Sequence, residues 1–193
     1  HKRRNLPMPF DENDVKIAGS HPSRSIARAD NDALSANQVE KEHENISRAH
    51  LLGASLAESV IKAQDGLGII SEDDDAVDTR LQSRLLLCFA VATGLDKYCV
   101  SNIAARTALN SFYNSLKRLD SGFYDDLNST GAFSFYYLAV RRHTDIERRI
   151  GQTFAMLCSK DGSSVYQELG EALYFTYMEQ VRGEIDRYGL LKQ

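Results

Sequence analysis

The sequence predicts an all-α protein, an irregular multi-helix bundle of about seven helices with an extended N-terminal arm. Three observations carry this reading. Apolar residues recur at steps of three and four, most plainly at Val165, Leu169, Leu173, Tyr177, Val181, Ile185 and Tyr188, which is the period of one helix face. The three prolines all lie at or before Pro22, so no imino residue interrupts the chain from Ser23 to Gln193. No alternating run bounded by turn residues marks a strand, and no Asn-Gly pair marks a hairpin. A chain of 193 residues suits a single domain that buries on the order of 70% of its unfolded surface.

Residues 1 to 34 read as an irregular arm, and residues 35 to 193 as one helical domain. The arm holds the breakers "LPMPF" and "AGSHPSRS". Its Leu6, Met8 and Phe10 suit an extended path lying in a groove on the same or a neighbouring subunit. Ser35 and Gln38 form a capping box, in which each side chain reaches an orphan amide of the first turn. The helix it opens is predicted to stop at Gly66. Ala49, Gly53 and Ala57 lie four apart along it, a strip of small residues that lets another helix come close. Ser71 and the acids after it open a second helix, with negative charge at the favoured end of the macrodipole. That helix runs through "LLLCFAVAT" to Gly94 and is apolar nearly all round, so it belongs at the centre.

Asp96 is expected to cap a third helix that ends near Leu119, with a break or kink at Asp120-Ser121-Gly122. Beyond it, Phe112, Leu116, Leu119, Phe123 and Leu127 share one stripe if the kink is mild. "AFSFYYLAV" reads as a short, deeply buried helix ending near His143. Thr144 and Glu147 fit a further capping box for a helix ending near Ser159. The last helix follows Ser164, with Gln167 in the box position, and spans ~35 Å at ~1.5 Å per residue. Between Asp11 and Cys88 no aromatic residue occurs, whereas sixteen lie between Phe89 and Tyr188. The large pieces of the core therefore come from the later helices.

Charge and cysteine content narrow the function. A net charge of −4 disfavours broad attraction to nucleic acid or anionic membrane, although a local patch still attracts. The longest apolar run, residues 85 to 95, is about half a bilayer span. Cys88, Cys99 and Cys158 are odd in number, far apart and embedded in apolar sequence, which reads as reduced thiols in a cytoplasmic protein. Cys99 lies two residues from Lys97, a neighbour able to lower its pKa. No P-loop, G-x-S-x-G or G-x-G-x-x-G occurs. No cofactor is expected.

Four constellations merit weighing. Residues 86 to 106 resemble a helix-turn-helix signature, with Ala90 at the helix contact and Gly94 at the tight turn. The resemblance implies Lys97, Tyr98, Ser101 and Asn102 toward base edges and Arg106 on a phosphate. The apolar first helix fits it poorly, and a plain helical hairpin accounts for the same residues. Arg141, Arg142, Arg148 and Arg149 can clasp a phosphate or carboxylate in their two-pronged donors. Asp145 stands three or four residues from each of them, so a solvent-facing charge ladder is the simpler account. Asp74, Asp75 and Asp78 have the D-D-x-x-D spacing that resembles the Mg²⁺-binding motif of helical prenyl-diphosphate enzymes; an acidic first turn is the simpler account. Glu40 with His43 is half of a di-iron bundle motif, without a second copy, and His43 with His50 is too little for zinc. Tyr136, Tyr137, Tyr174 and Tyr177 suit either a pocket for an apolar ligand or the core itself. The reading that best fits these observations is a non-enzymatic helical domain that acts by protein association, as a partner-binding protein or a homo-oligomer.

Overall fold

The computed structural model describes residues 23–63, 74–141 and 144–193. Among these residues the chain is helical throughout, in seven helices: α1 Ser23–Lys62, α2 Asp74–Tyr98, α3 Asn102–Leu119, α4 Ser121–Ser129, α5 Ala132–Val140, α6 Ile146–Leu157 and α7 Ser164–Arg187. By its internal contacts the chain divides into residues 1–40 and 41–193. Of the first unit, residues 1 to 22 lie outside the described residues, and the remainder is helix. The first helix thus begins at Ser23 rather than after the expected cap at Ser35, and the Ser35–Gln38 box falls inside it. Gly66 and Ser71 lie outside the described residues.

In the second unit α2 is the central helix, as its composition predicts. Residues 83 to 92 are all buried, and α2 packs against α3, α5, α6 and α7. A helix surrounded on all sides must be apolar on all sides. The later part of α1 presents the expected small-residue strip: Ala49, Gly53 and Ala57 are buried. At Gly53 an added Cβ would lie 2.2 Å from the Ala108 carbonyl oxygen of α3, and beside it the Ser111 hydroxyl donates to the His50 carbonyl at 2.7 Å. Arg187 of α7 donates to Ser55 Oγ at 3.1 Å and to Glu184 at 2.6 Å, tying α1 to α7.

The predicted turn at Gly94 is not a turn. The helix continues through it to Tyr98, and Gly94 instead admits α7, since a Cβ there would meet Val181 Cγ1 at 2.7 Å. The third helix is capped by Ser101 rather than Asp96; its side chain accepts from the Ala104 amide at 3.2 Å. The α2–α3 connection is held by the chain's last residues. Val100 N–H donates to the Leu190 carbonyl and Lys192 N–H to the Tyr98 carbonyl, both at 2.8 Å.

Asp120 is the break between α3 and α4. Its backbone is non-helical, with φ −150° and ψ 85°, and its carboxylate accepts from the Phe123 amide at 2.9 Å. Of the predicted stripe, Phe112, Leu116, Phe123 and Leu127 are buried across the break, whereas Leu119, next to Asp120, is exposed. The α6–α7 crossing is closest where two glycines meet. A Cβ on Gly151 would lie 2.3 Å from the Gln167 carbonyl oxygen, and one on Gly170 would lie 2.6 Å from Phe154 Cβ. The α7 cap is Ser163, one residue before the expected position. The predicted stripe holds from Leu173 through Ile185, while Val165 is exposed.

The aromatic residues form much of the core. Phe89, Phe112, Tyr136 and Phe154 are fully buried. Phe89 of α2 touches Phe133, Tyr136 and Tyr137 of α5 at ring-centroid distances of 5.6, 5.2 and 5.1 Å, the separations at which aromatic pairs attract.

Candidate functional site

The helix α5 ends at Val140, earlier than the expected end near His143, and it does not have the predicted burial. Only Ala132 and Tyr136 are buried. Phe135 is 45% exposed, Tyr137 50% and Leu138 61%. The physical reason is geometric. All nine residues are apolar except for Ser134 and the tyrosine hydroxyls, but α2 and α6 cover only part of the helix, so the remaining faces meet solvent. Across from it on α6, Met156 is 40% exposed. Single exposed apolar side chains are ordinary, whereas a contiguous set marks an interaction surface.

These residues line an open groove of about 730 Å³ between α5 and α6. Phe135 and Leu138 come from α5 and Met156 from α6, with Arg141, Arg149 and Gln152 also in the lining. No acidic residue among the described ones lines it. A second hollow of about 640 Å³ shares Leu138 and Arg141 and adds Tyr137, so apolar surface wraps around α5.

The four arginines are only partly brought together. Arg141 and Arg149 line the same groove; Arg148 is exposed outside that lining, and Arg142 lies outside the described residues. The charge ladder centred on Asp145 does not form among the described residues: no carboxylate of theirs stands within ion-pair distance of Arg141, Arg148 or Arg149. Asp145 has a left-handed backbone with φ 50° and makes no side-chain cap bond, so the Thr144–Glu147 box is not made either. Arg149 Nε donates instead to the Thr144 carbonyl at 3.0 Å, which fixes the side chain and leaves its terminal nitrogens unbonded to any described carboxylate.

The residues assigned to a nucleic-acid interface fall on two helices. Lys97 and Tyr98 end α2, Ser101 caps α3, and Asn102 and Arg106 are exposed on α3. The tight turn on which the helix-turn-helix resemblance depends is absent. Tyr98 is half-buried, with Lys97 Nζ and the Arg182 guanidinium 5.0 and 5.9 Å from its ring centroid. Those three and Lys192 line a hollow of about 280 Å³.

Of the acidic triplet, Asp78 is exposed, and the side chains of Asp74 and Asp75 lie outside the described residues. Among the described residues no group of three metal-ligating side chains converges; His43 and His50 are both exposed on α1. Cys99 does not have the lowered pKa that its proximity to Lys97 implies: burial pushes its thiol up to about 11. Burial likewise raises Cys158 to about 12 and holds Cys88 above its ordinary range. A thiol kept protonated is a poor nucleophile. Of the four tyrosines, Tyr136, Tyr174 and Tyr177 belong to the core and Tyr137 to the exposed face.

Sequence reasoning misses Phe135, Leu138 and Met156. The signal is present: a nine-residue helix apolar on every face needs neighbours on every face, and no sequence feature supplies a third neighbour for it. No helix among the described residues is long and apolar enough to cross a membrane. No protein-family model, no curated protein and no solved structure matches this chain.

Proposed function

We propose that this protein acts by binding another protein through the exposed face of α5 and its groove with α6. The observation that carries the reading is the contiguous exposure of Phe135, Tyr137, Leu138 and Met156 on a surface that also has concave shape. Removing such side chains from water on docking contributes roughly 25 cal/mol per Å² of apolar area. The reducing cytoplasm suits the three buried, unpaired cysteines.

The test is a selection of displayed helical peptides against the whole immobilised chain and, in parallel, against its Phe135→Glu/Leu138→Glu variant. Peptides that bind the wild type and are lost on the variant support the reading, provided circular dichroism shows both proteins equally helical. An empty selection, or binders indifferent to the variant, refutes it.

A further inference from the structure

We infer that the occupant of the α5–α6 groove is an acidic amphipathic helix of a different protein, its apolar side chains on Phe135, Leu138 and Met156 and its carboxylates on Arg141 and Arg149; this rests on the docking function proposed above. The groove has the form such a helix needs. Phe135 and Leu138 are one turn apart on α5, and Arg149, Gln152 and Met156 follow one face of α6 at i, i+3 and i+7. At 1.5 Å per residue the α6 row is about 10 Å long, and the α5 row is about 9 Å long once Arg141 is counted with Phe135 and Leu138. That length presents anchors to an incoming helix at about two-turn spacing, the helix-in-groove mode of recognition.

Charge decides the chemistry of the occupant. Arg141 follows the last turn of α5 and Arg149 lies in the first turn of α6. The chain between them is short, so both cations stand at the connected end of the two helices. No described carboxylate pairs with either one, and no described acid lines the groove. The N-terminus of α6 lies at the same end, its positive potential opposed by Glu147 in the first turn, so the two guanidinium groups carry the charge of the groove. A basic partner would be repelled. A second copy using the same face is also disfavoured, because a two-fold contact packs the patch against the same patch, and that patch offers its arginines no described acid. A small amphiphile would be poorly enclosed, since ligand sites bury most of their ligand whereas Leu138 is 61% exposed here.

The experiment sequences the peptides selected above and measures the best one by fluorescence anisotropy. Its twin carries lysine in place of every aspartate and glutamate. The enriched set is expected to carry acids about one turn beyond an apolar anchor pair. Arg141→Glu/Arg149→Glu should weaken the acidic peptide by at least about tenfold and make the lysine twin the better ligand. Neutral or basic enriched sequences overturn the inference, as does an affinity within about twofold of wild type after charge reversal. If the Phe135→Glu/Leu138→Glu variant still abolishes binding in that case, docking through α5 survives and only the acidic partner is lost. An empty selection overturns both. Sedimentation showing a dimer that Leu138→Glu dissolves would assign the groove to a second copy and overturn the partner named here.

Discussion

Replacing Asp120 with alanine should cost about 2–3 kcal/mol of folding stability. Two separable losses add to that figure. The carboxylate is the N-cap of α4, accepting from the Phe123 amide at 2.9 Å, and loss of such a cap costs about 1 kcal/mol. It also pairs with Arg84 Nη2 at 3.1 Å. Arg84 is 7% exposed, and its guanidinium sits 3.8 Å from the Phe123 ring centroid. Stripping one partner from a fully buried pair costs about 3–5 kcal/mol. The Asp120 side chain is 31% exposed, so water reaches the space it leaves, and about 1–2 kcal/mol is the appropriate share. Asp120→Asn keeps the cap and loses the charge, so it should cost only that second share. Urea unfolding followed by circular dichroism measures both, and the alanine variant should melt about 4–10 °C lower. The Phe123 amide bond first, and the Arg84 guanidinium with it, holds the Asp120 carboxyl below its ordinary range against the opposing effect of burial. The unfolded chain therefore takes up this proton more readily. The stabilisation is complete above the unfolded pKa of about 3.9 and is lost as pH falls through that value toward the folded one. The difference between wild type and either variant should accordingly shrink below about pH 4. An alanine variant within about 0.5 kcal/mol of wild type at neutral pH would refute the argument, as would equal costs for alanine and asparagine.

Other changes probe other contacts. The Tyr136 hydroxyl is buried with no hydrogen-bond partner among the described residues, so Tyr136→Phe should leave stability unchanged or raise it by up to about 1 kcal/mol; a loss of that size in the same urea experiment would reveal a partner. Gly151→Ala places a Cβ 2.3 Å from the Gln167 carbonyl oxygen, which must push α6 from α7 at a cost of about 1–3 kcal/mol. Combining it with Gly170→Ala should cost less than the two separate losses, because one displacement relieves both clashes; full additivity would count against a shared crossing. Burial and raised pKa predict that Cys88, Cys99 and Cys158 resist a thiol-specific reagent at mildly alkaline pH and all react once denatured. Rapid labelling of any one in the native state would contradict their placement.

The helices are legible in the sequence because their signals are local. Periodicity locates α7, and a continuous apolar run locates the course of α2. Errors arise where one residue type serves two purposes. Gly94 reads as a helix stop because glycine tolerates the left-handed conformation that ends helices, but glycine also permits two backbones to approach. Only the presence of Val181 at that point of α7 decides between them, and Val181 is 87 residues away in the chain. Asp145 reads as the hub of a charge ladder when helical steps are counted through it, yet it stands just before α6 with φ 50°, where those steps do not apply.

The candidate site shows the same limit in its most consequential form. Hydrophobicity in "AFSFYYLAV" states that each face of α5 favours burial, but it cannot state by what. Within this chain Phe89 and its neighbours cover the Tyr136 side, and α6 covers another. Phe135 and Leu138 are left facing the groove. The arginines beside them follow a related logic: without Asp145 they have no described carboxylate to meet. An apolar face and two cations lacking counterparts at one end of one groove are matched together by a single complementary surface, one that is apolar in the middle and acidic at that end.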